Sequence, residues 1–278
     1  MRDDVWEWDE TLYAGAAKYY AAGRMPYPQV VADTMRTELG LDGTGRLLDV
    51  GCGPGSLTLL LAPLFESVVG VDADRDMLTN ARREAEKSGI DNVTWRHMRA
   101  EELPGDLGSF RVVTFAQSFH WIDRPRVAAI VRRMLEPDGA FVHVAATTHE
   151  GVPDDGPLLH PRPPRDDIAQ LVRRYLGPVR RAGRFALPAG TPDGEADIMR
   201  DAGFRGPVVR EIGGGSVADR TEDEVVASVF SLSSAAPHLF GDRRAEFERE
   251  LRDLLRQASP HGHFSERRRE VALALWRP

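Results

Sequence analysis

The sequence predicts an α/β protein built on an open, mainly parallel sheet of seven strands with helices on both faces. Short apolar runs alternate with amphipathic stretches between about residues 46 and 147, the rhythm of strands joined by crossover helices. A glycine-rich loop, Gly51-Cys52-Gly53-Pro54-Gly55, interrupts the chain where the first apolar run gives way to a helical stretch. That is where an open parallel sheet presents its ligand crevice. Near the end, Val271, Leu273 and Leu275 alternate with other residues, as in a closing strand with one packed face.

Each element follows from the same reasoning. In residues 27–40, Val31, Met35 and Leu39 stand four apart before Gly40, an amphipathic helix with a glycine stop. RLLDV (46–50) reads as a strand and SLTLLLAPLF (56–65) as a helix. SVVGV (67–71) is the next strand, and residues 75–89 a helix that is apolar at Leu78, Ala81 and Ala85 and stopped at Gly89. VTWRH (93–97) and VVTF (112–115) are strands. Residues 124–135 form a helix with Val127, Ile130, Val131 and Met134 on one face, and AFVHVA (140–145) is a strand after a Pro-Asp-Gly turn.

Beyond residue 148 the rhythm breaks. Prolines and charges precede a short helix with Ile168, Leu171, Val172 and Tyr175 on one face, so this segment is expected to be inserted on the sheet. Residues 191–204 return to helix, 207–214 to strand, and 221–241 and 244–257 to helices, before REVALALW (269–276) closes the chain as a strand. One domain is expected, with 1–45 as an N-terminal lid and helix and 46–147 as the cofactor-binding core. Residues 148–190 and 216–265 would form a cap, and 191–215 and 266–278 would complete the sheet.

Composition narrows the function. A chain of 278 residues, 42% of them hydrophobic, can build a large core without metals or disulfides. Cys52 is the only cysteine, which rules out an internal disulfide and a multi-thiolate zinc site. A formal net charge of -7 argues against a nucleic-acid partner, whose phosphates call for clustered positive charge. The acidic, aromatic start MRDDVWEWDE does not read as an export signal, and no apolar run approaches the length of a membrane span. A cytoplasmic protein without a membrane partner is expected. His160, His261 and His263 lie in polar stretches and read as loop residues; with no third ligand identifiable, no metal is expected.

The glycine loop has the spacing GxGxG. A dinucleotide fingerprint would place glycine where Ser56 stands, which counts against a nucleotide-dependent oxidoreductase. Asp72 ends the second strand, and a carboxylate there can engage a vicinal diol through both oxygens. LLDVGCGPG, then VVGVDAD with a downstream DML, then RAEELP, VVTFAQSFHW and LEPDGAF resemble, in this order, the motif series of class I (Rossmann-like) S-adenosylmethionine-dependent methyltransferases. The likeness is greatest to the type 11, small-molecule branch and covers about residues 46–147.

The resemblance implies an antiparallel last strand, a helical cap over the active site, and S-adenosylmethionine as cofactor with S-adenosylhomocysteine as product. Asp49 and the backbone of Gly51 and Gly53 would hold its methionine part, and Asp72 the ribose hydroxyls. Ala73 and Met77 would flank the adenine, with Ala100 and Glu101 at its edge. Many relatives carry an acidic residue where Arg99 stands, which leaves adenine recognition to Glu101 or to backbone. Gln117 and Ser118 would wall the reaction chamber.

Methyl transfer depends chiefly on alignment and water exclusion, so a catalytic base is optional. His120 is the candidate base; packing of His120 and Trp121 to orient their loop is the equal alternative. Tyr20 and Arg24, with Tyr19 and Tyr27, suggest a lid in which Arg24 grips a carboxylate of cofactor or substrate, and Trp6, Trp8 and Tyr13 are further candidates for the pocket wall. Trp121, Phe230, Ser234 and His238 are expected near the acceptor, a small molecule methylated on O or N, in bacterial specialised metabolism. C-methylation, a non-catalytic scaffold and an oxidoreductase stay open as alternatives.

Overall fold

A computed structural model describes residues 9–153, 156–179, 181–182, 185–186 and 194–278; Trp6 and Trp8 lie outside them. The core begins with helix α1 (Ala17–Gly23) and helix α2 (Val30–Leu39), the latter ended by Gly40 in the left-handed conformation. Then come β1 (Arg46–Val50), α3 (Ser56–Leu61), β2 (Ser67–Asp72), α4 (Arg75–Ser88) and β3 (Val93–His97). β4 (Phe110–Ala116), α5 (Arg124–Met134) and β5 (Leu135–Ala146) complete the alternating part.

The remaining elements are α6 (Arg165–Leu176), the two-residue strands β6 (Arg181–Ala182) and β7 (Phe185–Ala186), α7 (Glu195–Asp201) and β8 (Arg205–Ile212). They are followed by β9 (Val217–Thr221), α8 (Glu222–Phe230), α9 (Arg244–Ala258), β10 (His263–Arg267) and β11 (Val271–Arg277).

Seven strands form one sheet in the order β3-β2-β1-β4-β5-β11-β8. The first five pair in parallel, while β11 runs antiparallel to both β5 and β8. The chain builds outward from β1 to β3 and then returns to place β4 on the other side of β1. A crevice opens at such a reversal, beyond the carboxyl ends of the strands.

Alternation along the strands sends side chains to two cores. Leu47, Val112 and Leu273 join Met35 and Leu61 beneath α2 and α3, whereas Leu48, Val113 and Phe115 join Val131 and Met134 beneath α5.

A third core lies in the cap, where Phe230, Phe240, Phe247, Leu251 and Phe264 pack together. The antiparallel pair β9 and β10 belongs to this part and has no counterpart in the sequence-based expectation. His263 begins β10, and its ring stacks on that of His160 with centroids 5.3 Å apart, so the loop assignment of His263 is corrected.

Helix α1 bridges core and cap. Asn80 on α4 donates to the Ala17 carbonyl at 2.8 Å. At its other end Gly23 lies so close to α8 that a Cβ would sit 2.4 Å from the Ala227 carbonyl oxygen. Only glycine permits that approach.

Candidate functional site

The carboxyl ends of β1, β2 and β4, together with α1, enclose a cavity of about 710 Å³ including its open mouth. Its floor is the glycine loop. Gly51 has φ +67, and a Cβ there would lie 2.4 Å from the Cβ of Ser118, so both conformation and space demand glycine. At Gly53, φ is +54 and a Cβ would meet nothing within 4 Å; the backbone there faces open space. Ser118 is fixed by donating to the Val50 carbonyl at 2.6 Å.

Asp72 is the charged centre of this cavity. Its Oδ1 accepts the Asp74 amide at 2.8 Å and its Oδ2 the Gly53 amide at 2.7 Å. A carboxylate has about four acceptor positions, so lone pairs on both oxygens remain for a ligand. Burial pushes its pKa up to about 6, with the two amide bonds opposing and the charges of Asp74 and Asp49 adding to the rise. Asp74 in turn caps α4, accepting the amides of Asp76 and Met77, and so holds Met77 in the cavity wall.

Of the residues expected from the sequence, Gly51, Gly53, Asp72, Ala73 and Met77 line this cavity, as do Ala100, Glu101, Gln117, Ser118, Tyr20 and Trp121. Met98 and Ile122, which the sequence reasoning missed, complete its apolar side. Glu101 is already engaged, its Oε1 accepting the Asp123 amide at 2.9 Å. Gln117 is held at φ +57, a conformation rare outside glycine and found where a site dictates the backbone. Tyr13 also lines the cavity, and burial pushes its hydroxyl pKa up to about 12. It therefore stays a neutral hydrogen-bonding group at physiological pH.

An adjoining cavity of about 400 Å³ shares Tyr20, Gly51, Gly53 and Ala116 with the first and adds Arg24, Tyr27 and Ser56. The Arg24 guanidinium stands over the Tyr20 ring at 4.7 Å, and it donates to the Ser231 hydroxyl at 2.8 Å and to the Ser231 carbonyl at 2.9 Å.

Five of the expected residues lie outside both cavities. Asp49 does not line either cavity: it is fully buried beneath the loop, accepting the hydroxyls of Thr58 at 2.6 Å and Thr114 at 2.8 Å. Burial pushes its pKa up to about 6 against those two bonds. His120 lies outside both cavities as well, its ring beside that of Trp121 with centroids 4.7 Å apart. Phe230 is fully buried in the cap core, with its ring centroid 5.0 Å from that of Tyr19. His238 is exposed, with Nδ1 3.1 Å from the Ala14 carbonyl oxygen. Ser234 lines a different cavity, within the cap. Among the described residues no group of histidine, cysteine or acidic side chains could hold a metal ion, and no helix is long and apolar enough to cross a membrane.

Residues 47–139 match the family model described as a methyltransferase domain. An uncharacterized methyltransferase of Bacillus subtilis is 34% identical over 36% of this chain and 40% of its own length. A probable S-adenosylmethionine-dependent methyltransferase of Saccharomyces cerevisiae is 32% identical over 44% of this chain and 43% of its own. The chain thus spans less than half the length of these curated relatives. The solved structure of the Bacillus subtilis protein superposes with a TM-score of 0.52 at 18% identity, covering 90% of this chain and 98% of that one. The structure described as the [4+2]-cyclase SpnF gives 0.51 at 18% identity, covering 96% and 93%. These superpositions establish the fold, which hosts more than one chemistry.

Proposed function

We propose, on the premise that residues 47–139 form a class I methyltransferase domain, that the chain transfers a methyl group from S-adenosylmethionine to an oxygen or nitrogen of a small molecule. The observation that carries this reading is Asp72, a half-buried carboxylate with unused lone pairs opening into a cavity floored by the glycine loop. The residues present fit the cofactor. Open space over Gly53 admits a ligand against the backbone, Asp72 offers paired acceptors for a vicinal diol, and Met77, Met98, Ala100 and Ile122 offer an apolar slot for a purine.

S-adenosylmethionine supplies a methyl carbon already activated by its bond to a sulfonium sulfur. The protein's part is to position and to exclude water. Tyr13, Tyr20 and Trp121 wall the cavity on the lid side. Arg24, pinned to Ser231, retains unused N–H groups in the adjoining cavity, where they suit the carboxylate of an amino-acid moiety. The position of His120 outside both cavities removes its support as a base, so alignment is the favoured source of rate.

The test is direct. Purified protein incubated with methyl-labelled S-adenosylmethionine and a panel of small nucleophiles should release S-adenosylhomocysteine and label an acceptor, and Asp72→Ala should do neither at the same cofactor concentration. Tight cofactor binding with no labelled product from any acceptor would favour the scaffold reading.

A further inference from the structure

The cap contains a further cavity, of about 1350 Å³ including its mouth, between α6 and α8. Arg165, Ala169 and Arg173 line it from α6. They stand four apart, and so share one helix face. The two arginines are separated by roughly 12 Å along the axis, and the small side chain of Ala169 leaves the space between them open. Val172 flanks this row, and Val229, Leu232 and Leu239 form the facing apolar wall.

The charge around this cavity does not balance. Arg165 donates Nε and Nη2 to Glu266 at 3.0 and 2.6 Å, Nη1 to the Ser228 hydroxyl at 3.0 Å, and Nη2 also to the His149 carbonyl at 3.0 Å. It is thereby fixed in place with one N–H unused. Arg220, buried behind it, pairs with the same Glu266 at 3.4 Å. Arg269 pairs with Glu150 at 3.3 Å.

Burial, and then the charges of Arg24, Arg165, Arg269 and Arg220, hold the pKa of His149 down to about 3, so its imidazole is neutral. Around His149, Arg24, Arg165, Arg220 and Arg269 thus stand against three carboxylates, those of Glu150, Glu266 and Glu224. Arg173 adds a fifth positive charge and makes no side-chain hydrogen bond or ion pair among the described residues. Arg173 is exposed at the rim of the cavity; an excess of positive charge at a cavity mouth attracts anions, and guanidinium groups favour carboxylates.

The cap cavity shares no lining residue with the cavity around Arg24, but their walls are consecutive in the chain. Thr148 lines the cavity around Arg24 and the next residue, His149, lines this one. Ser231, which holds Arg24, lies between Ser228 and Leu232 of the cap cavity wall.

We propose that the cap cavity is the acceptor site and that it takes a small organic carboxylate with an apolar body, its carboxylate received by Arg165 and Arg173 and its body by Val172, Val229 and Leu232. The carboxylate is a handle, distinct from the atom that is methylated. The assignment as acceptor site rests on the methyltransferase reading; the preference for an anion does not.

Calorimetric titration of the full chain with 4-phenylbutyrate, octanoate and their uncharged amides tests it, with S-adenosylhomocysteine titrated in parallel. The carboxylates should bind at least about tenfold more tightly than the amides, a difference in line with charge-assisted hydrogen bonds. Arg173→Gln should erase most of that preference, and Ala169→Phe should block both kinds of probe, with affinity for S-adenosylhomocysteine unchanged in each variant. Equal affinity for acid and amide, no binding by either, or an unaltered preference in Arg173→Gln would overturn the anion site. Carboxylate binding that persists in a protein with no affinity for S-adenosylhomocysteine would overturn the acceptor assignment and the methyltransferase reading together.

Discussion

Asp72 has two tasks at once: it accepts the amides of Gly53 and Asp74 that shape the cavity mouth, and it turns its remaining lone pairs toward the cavity. Replacing it with alanine should weaken S-adenosylhomocysteine binding by about 1.5 to 3 kcal/mol, the range for hydrogen bonds to a charged group, as read by calorimetry. Its pKa is pushed up to about 6 by burial, so it is a better acceptor above that pH than below. Affinity should therefore rise as pH increases through 6 and should be flat across the same range in Asp72→Asn.

Asp49 obeys the same physics with a different readout. Its pKa rises from 3.8 unfolded to about 6 folded, so between those values the folded chain keeps a proton that the unfolded chain has lost, and stability falls as pH rises. Urea melts should show Asp49→Asn gaining on the wild type by up to about 3 kcal/mol between pH 4 and 7; a gap independent of pH would refute the assignment.

The burial of Asp49 was hidden from the sequence, but the position of Asp72 at a strand end was legible. Which way His120 points was not. Phe119, His120 and Trp121 form a single 3₁₀ turn, in which successive side chains diverge by about 120°. Phe119 goes to the core and Trp121 to the cavity, and no local pattern says which of the three turns inward.

At the scale of elements, the loop between β1 and α3 and the start of α4 set the cavity's shape. Gly51→Ala would add a Cβ 2.4 Å from Ser118 at a φ of +67, and backbone strain of this kind costs about 1 to 3 kcal/mol before the clash is counted. Thermal melts should show that loss, and cofactor affinity should fall with it. Asp74→Ala removes the acceptor for two amides at the start of α4 and should cost about 1 kcal/mol, loosening Met77 in the cavity wall. The strands of the alternating part were legible to within a few residues, because apolar runs bounded by glycine and charge have few other readings. β9, with the sequence VADRT, was not: its burial alternates, but five residues with two charges and one threonine are equally at home in a loop.

The whole molecule joins two differently built halves, a sheet with a core on each face and a cap with its own aromatic core. Glu266 on β10 ties the cap together. Fully buried, it pairs with Arg165 of α6 and Arg220 of β9 and accepts the Gly151 amide at 3.1 Å. Glu266→Gln would leave two guanidinium groups short of their counter-charge, and breaking a buried pair in this way costs about 3 to 5 kcal/mol. Urea melts should show a loss of that order, while the pH dependence of cofactor binding through Asp72 should persist in the folded fraction. A surface-like effect near zero would contradict the network. The sequence announced this half only as a break in rhythm after residue 148, because a network between residues about a hundred positions apart leaves no periodic trace.

The central claim is that the cavity between the glycine loop and Asp72 takes a sulfonium nucleoside. Calorimetric titration of the purified chain with S-adenosylhomocysteine, set against NAD as control, tests it most directly. The account predicts saturable binding of S-adenosylhomocysteine at one site per chain and none of NAD. Binding of NAD instead, or of neither by a folded and ligand-free preparation, would contradict it.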